Sequence, residues 1–188
     1  MIQDNSLLID NIRESLIQNF SINLLKKKLK IINIYNSGQK NFHRLYNISL
    51  GEKFTNGFIR NGHDVLEISD RDFLRQNTNF FINKDINKFQ EYLLNTFKNY
   101  NPNLIFFGHT KNIKLETIDE FKNLNKNLII SQWNEDPVMK SLEYSKKNIK
   151  NIIHYSDIAD HTFITTHPSV LKKQNIDIKN FTIFSFLL

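Results

Sequence analysis

KIINIYNSGQKNFHRLYNISLGEKFTNGFIRNGHDVLEIS, residues 30–69, reads as strand, open loop, helix, tight turn and strand. Ile31, Ile32, Ile34 and Tyr35 make a short β-branched and aromatic run that stops at Asn36-Ser37-Gly38, the length and bounding of a strand buried on both faces. Residues 37–46 follow as a polar loop. Over 49–60, Leu50, Phe54 and Phe58 recur every fourth residue and Ile59 widens the stripe, so a helix here can lay one apolar face on a sheet. Asn61-Gly62 ends it, because glycine takes the left-handed conformation that closes a helix. Val65, Leu66 and Ile68 are then the apolar positions of a second strand over 63–69. Two strands joined by a packed helix make a crossover unit, with parallel strands and a right-handed connection.

Length and composition bound what surrounds this unit. A chain of 188 residues has room for one α/β domain with a real core and hardly for two. Hydrophobic residues at 40% and charged residues at 23% are globular values. The chain carries 27 Asn and 26 Ile but a single Ala, a bias of AT-rich codons that also raises Lys and so explains much of the formal net charge of +6. Only Lys26, Lys27, Lys28 and Lys30 cluster, so nucleic acid is disfavoured as a partner. Cysteine is absent, which removes disulfides, thiolate nucleophiles and Cys-based zinc sites. No run approaches the roughly 18 apolar residues of a membrane span, and the first residues do not read as a secretory signal. The cytoplasm is the expected compartment.

Residues 1–29 form a separate amino-terminal segment. Leu8, Ile9, Ile12, Leu16 and Phe20 give it a helical stripe over 5–20, and the lysines that follow offer a peripheral contact with the inner face of an anionic membrane. A helix packed on the domain or on a partner is the plainer alternative. After the second strand, 70–84 is polar and broken by Asn. Ile86, Phe89, Leu93 and Phe97 mark a helix over 85–99 with Asp85 as cap, ended by Asn101-Pro102. Strands are expected at 104–107, 128–133, 161–166 and 181–188, with helices over 115–124, within 145–155 and over 169–174, the last started by Pro168. Strands alternating with helices over 30–188 define an α/β, Rossmann-like, open and mostly parallel sheet covered on both faces.

In such sheets ligands bind outside the carboxyl ends of the strands. Those ends carry Ser37-Gly38-Gln39-Lys40, Ser69-Asp70-Arg71-Asp72, Gly108-His109-Thr110, Trp133-Asn134-Glu135-Asp136 and Thr165-Thr166-His167. Two histidines, adjacent carboxylates and the only Trp thus gather on one rim. Glu135 or Asp136 suits a general base toward a hydroxyl; Asn134 and Pro137 equally suit a structural turn. His109 can hydrogen-bond a hydroxyl or phosphate, or cap the next helix, and His167 stands just before Pro168. Trp133 can stack on a sugar ring or belong to the core. The dinucleotide G-x-G-x-x-G, the G-x-x-x-x-G-K-[ST] loop and the G-x-S-x-G elbow are missing, and the six histidines lack metal-ligand spacing. No metal is expected.

LGEKFTNGFIRNGHDVLEIS, NPNLIFFGHT, LIISQWNEDP and SDIADHTFITTHPSVLKK, in this order and spacing, resemble the amino-terminal domain of GT-B glycosyltransferases, nearest to the bacterial spore-maturation-protein-like group. The resemblance implies an acceptor-side domain whose sugar or glycan acceptor meets Ser37, Gly38, Trp133, Asn134 and His167, with Glu135, Asp136 and His109 as catalytic candidates. It implies no cofactor in this chain. The nucleotide-sugar donor is expected on a second domain, or on a partner chain, beyond the strand that ends at Leu188. A cell-surface glycan, such as a cell-surface polysaccharide, or a related molecule is the expected acceptor, and the chain alone is expected to be incomplete and inactive. A non-catalytic α/β binding or regulatory module is the alternative.

Overall fold

The structure is a computed structural model that describes residues 27–37, 49–76 and 85–183. The helix expected over 5–20, Gly38 with most of the polar loop, and the end of the strand expected over 181–188 lie outside the described residues. Six strands, β1 (Lys30–Tyr35), β2 (Asp64–Ser69), β3 (Leu104–Gly108), β4 (Ile129–Asn134), β5 (His161–Ile164) and β6 (Phe181–Ile183), form one sheet in the order β2-β1-β3-β4-β5-β6. Every pairing is parallel. The expected mostly parallel sheet is therefore wholly parallel among the described residues, and the fold is α/β and Rossmann-like. Its order is the flavodoxin-like one extended by a strand, with the switch point between β1 and β3.

Six helices connect the strands: α1 (Leu50–Arg60), α2 (Asp70–Gln76), α3 (Ile86–Tyr100), α4 (Leu115–Leu124), α5 (Glu143–Ser156) and α6 (Pro168–Lys173). Ser49 caps α1 by accepting the Glu52 N–H, and Asp85 caps α3 by accepting the Lys88 N–H. Gly62, at φ +85°, makes the turn into β2, and Asn101, at φ +50°, closes α3. The expected boundaries hold within a few residues. α2 is the exception, since 70–84 reads as an irregular polar stretch. Its helix rests on tertiary burial, with Asp70, Asp72 and Leu74 turned inward.

The chain turns toward one edge after β1 and toward the other after β2, so right-handed crossovers place α1 on one face and the later helices on the opposite face. Ile31, Tyr35, Phe106 and Trp133 accordingly meet Leu50, Phe54 and Phe58 of α1. Ile32, Ile34, Ile105, Phe107 and Ile130 meet Phe89, Leu93 and Phe97 of α3 and Ile118 and Phe121 of α4. Asn33, fully buried on the α1 side, donates to Gly51 O at 3.0 Å and Thr55 Oγ1 at 2.9 Å, which fixes α1 along β1. Ile59, expected to widen the α1 stripe, is half exposed instead. Because all six strands run the same way, their carboxyl ends share one rim.

Candidate functional site

β1, β2, β3 and β4 each deliver a polar residue to that rim at the switch point. Asp70 follows β2 directly and is 2% exposed. Its Oδ2 accepts from Thr110 Oγ1 and from Asn112 Nδ2, both at 2.7 Å, which ties the end of β2 to the loop after β3. Ser37, after β1, is buried and donates to Asp72 Oδ2 at 3.0 Å. Of the two acceptor candidates after β1, Ser37 thus serves to hold the β2 end, and Gly38 lies outside the described residues.

Between these strand ends, α2 and α5 lies a cleft of about 670 Å3. Leu74, Phe107, Ile152 and Tyr155 give it an apolar floor, and Asn36, Asp70, Asn112, Asn134 and Asn148 give it hydrogen-bonding walls. Its volume suits a ligand of sugar to nucleotide size, since such pockets span roughly 300–1,000 Å3. Burial raises the Tyr155 hydroxyl pKa to about 12, and the hydroxyl donates to Ile113 O at 2.7 Å. That phenol is neutral at any physiological pH.

His109 stands at the mouth. It adopts φ +52°, a left-handed conformation that costs a non-glycine residue energy and recurs at functional positions. The twist turns its ring toward the loop after β4, where Nε2 lies 2.5 Å from Glu135 Oε2 and Nδ1 lies 3.9 Å from Asp136 Oδ2. Burial penalises the imidazolium, but the Glu135 hydrogen bond, the Glu135 charge and the Asp136 charge outweigh it, so the His109 pKa is raised above 6.5. Glu135 therefore orients the ring through Nε2, and Nδ1 faces the Asp136 carboxylate at 3.9 Å. His109 does not cap the next helix, since Lys114 stands at the α4 N-cap, and its ring pairs with Glu135 instead.

The raised value has a consequence for stability. A group bound more tightly to its proton in the folded chain stabilises that chain fully below its unfolded pKa, and the contribution is lost as pH rises through the folded value. Urea midpoints measured at pH 6 and at pH 9 are expected to fall further for the wild type than for Glu135→Gln across that interval. Equal falls would remove the ion pair as a source of stability.

The remaining candidates divide. Asn134 Nδ2 donates to Asp136 O at 2.8 Å, and Asp136 Oδ2 accepts from Asn148 Nδ2 at 2.8 Å, so these two residues shape the loop that presents Glu135. Thr165 Oγ1 anchors the same loop by donating to Glu135 O. Trp133 is 4% exposed and packs against Phe54, Phe106 and Gly108, which puts its ring in the core, with Nε1 buried and without a hydrogen-bond partner. His167 caps α6, its Nδ1 accepting the Ser169 N–H at 3.2 Å, and is not part of the cleft lining. Asn36, Asp70 and the α5 side chains were not singled out from the sequence. Asp70 directly after a strand was a usable signal; the α5 face was not, because nothing local says which side of that helix meets the cleft.

Among the described residues no group of His, Cys, Asp or Glu could hold a metal ion, and no helix is long and apolar enough to cross a membrane. No protein-family model, curated protein or solved structure matches the chain significantly. Fold and site together define a doubly wound α/β chain with a switch-point cleft and a histidine–carboxylate pair at its mouth.

Proposed function

We propose that this chain is the acceptor-side half of a glycosyltransferase, with the cleft holding a sugar or glycan and His109 taking the proton from the attacking hydroxyl. The observation that supports it is the His109 ring clamped by Glu135 and Asp136 at the edge of a cleft walled by amides and a buried carboxylate. Amide and carboxylate oxygens accept from sugar hydroxyls, and a base must lie within hydrogen-bond reach of the proton it removes. Glu135 acts as the positioning residue for that base. The nucleotide-sugar donor belongs to a second α/β half, and the reaction belongs to the cytoplasm, at the membrane face if the lysines before β1 touch anionic lipid. The product is then a cell-surface polysaccharide or a related glycan.

A non-catalytic binding module is the second reading. It is favoured by the commitment of Asn134 and Asp136 to their own loop, which leaves them to shape the site instead of reacting in it. Saturation-transfer NMR with neutral mono- and disaccharides on the chain alone, followed by a transfer assay with a donor-binding half supplied, separates the two. Saturable sugar binding with transfer only in the two-half mixture is the expected result. Binding without transfer moves the chain to the module reading, and hydrolysis of a nucleotide-sugar by the chain alone overturns the acceptor assignment.

A further inference from the structure

Among the described residues the two faces of the sheet are unequally covered. Apolar residues of α2, α3, α4, α5 and α6 join the clusters of one face, and α1 alone packs on the other, where Ile31, Tyr35, Phe106 and Trp133 lie. Six strands about 4.8 Å apart make a sheet roughly 24 Å wide, of which one helix covers about 10–12 Å. α1 lies over β1 and β2 and reaches β3 and β4 only through Phe54 and Phe58. The strand register puts Leu104, Ile129, Ser131, His161 and Phe163 on the same face. Ile129 is 41% exposed, His161 is exposed and Leu104 is half-buried. An isoleucine this open on an interior strand departs from the rule that parallel sheets are covered on both faces.

We propose that the amino-terminal segment, residues 5–20, docks as a helix on this face beside α1, with its apolar stripe against β4 and β5. Leu8, Ile9, Ile12, Leu16 and Phe20 fall on one side of such a helix, and Asp10 and Glu14 fall away from it, the pattern of a helix with one buried face. As a helix, residues 5–20 are about 24 Å long, enough to run the breadth of the open half. Extended, residues 21–28 reach about 26 Å, and β4 and β5 lie only about 10–15 Å from β1 across the sheet. Leu29, just before β1, already packs on the cluster of this face, so the chain arrives on the side that needs a cover. The second helix of that layer is thus supplied by the segment before β1, where a crossover would ordinarily supply it. The docking is independent of the glycosyltransferase reading.

The chain has no cysteine, so two introduced cysteines are its only attachment points for nitroxide labels. In the full chain, Glu14→Cys on the polar side of the segment is paired with Asn56→Cys, exposed on α1, or with Glu120→Cys, exposed on α4 on the opposite face. Pulsed electron-spin resonance is expected to give the α1 pair a narrow distance distribution centred below that of the α4 pair, because neighbouring helices pack about 8–10 Å apart and α4 lies across the sheet. Ile12→Asp/Leu16→Asp is expected to at least double the width of that distribution. Ile129→Lys, at an exposed position on the receiving face, is expected to broaden it as well, and decides the matter if the first variant does not fold. A broad distribution without these substitutions, a shorter distance to α4 than to α1, or an unchanged width in Ile129→Lys overturns the docking. So does a short distance that vanishes when labelled chains are diluted into unlabelled ones, which assigns the face to a second copy. The distance is expected to persist with phosphatidylcholine vesicles carrying phosphatidylserine; its loss on adding them assigns the stripe to the membrane and overturns the docking.

Discussion

Replacing Gly108 with alanine is expected to cost about 3 kcal/mol of stability, a fall of roughly 10 °C in melting temperature for a chain of this size. A Cβ at this position would stand 2.2 Å from Trp133 Cε2, far inside contact distance. The indole has nowhere to go, because it is 4% exposed and its ring centroid lies 5.0 Å from that of Phe54 and 6.3 Å from that of Phe106. The disturbance should reach the site as well, since His109 follows in the chain and lies edge-on to Trp133 at 5.3 Å. Denaturant unfolding of Gly108→Ala, Trp133→Leu and the double variant checks the cause. If the indole is what the methyl meets, the double variant loses less than the two single losses combined. A Gly108→Ala protein within about 0.5 kcal/mol of the wild type, the range of an ordinary surface change, would show that β3 and β4 do not pack as described.

His109→Asn is expected to lower kcat for sugar transfer by about 10²- to 10⁴-fold in the two-half enzyme, the usual contribution of a general base. Asparagine is chosen because it tolerates the left-handed backbone at φ +52°, so the fold is kept while the imidazole is lost. Glu135→Gln is expected to do less to the rate at high pH and to shift the acid limb of the kcat profile downward, because the raised histidine pKa depends on the Glu135 carboxylate. A merely structural Glu135 would change rate or stability without moving that limb. Transfer by His109→Asn within a few-fold of the wild type would remove His109 from the chemistry.

The crossover over 30–69 was legible because each of its signals is local. β-branched and aromatic residues mark the strand, a period of four marks the helix, and Asn61-Gly62 marks the stop. The α3 helix was legible for the same reason, down to its Asp85 cap. α2 was not, because DRDFLRQ offers only the adjacent Phe73 and Leu74 as apolar residues and its two buried aspartates are bonded to groups distant in sequence. The rim was legible as a set of strand ends, and it delivered His109 and Glu135 to one another across 26 residues of separation. It could not say that Trp133 would turn its faces into the core or that His167 would spend its nitrogen on a cap. Nor could it show that Lys147 and Lys150 face the cleft, since that depends on how α5 rolls against β4 and β5.

The position of β1 in the sheet orders events in time as well as in space. β1 pairs with β2 through a connection contained in 30–69, but its other edge stays open until Leu104–Gly108 has been made. Each later strand then joins the edge left by the one before it, so the sheet extends in a single direction as synthesis proceeds. The cleft lining ends at Tyr155. Every described residue of the cleft lining is therefore available on the nascent chain before β5, α6 and β6 exist, and those last elements act as a buttress behind the cleft.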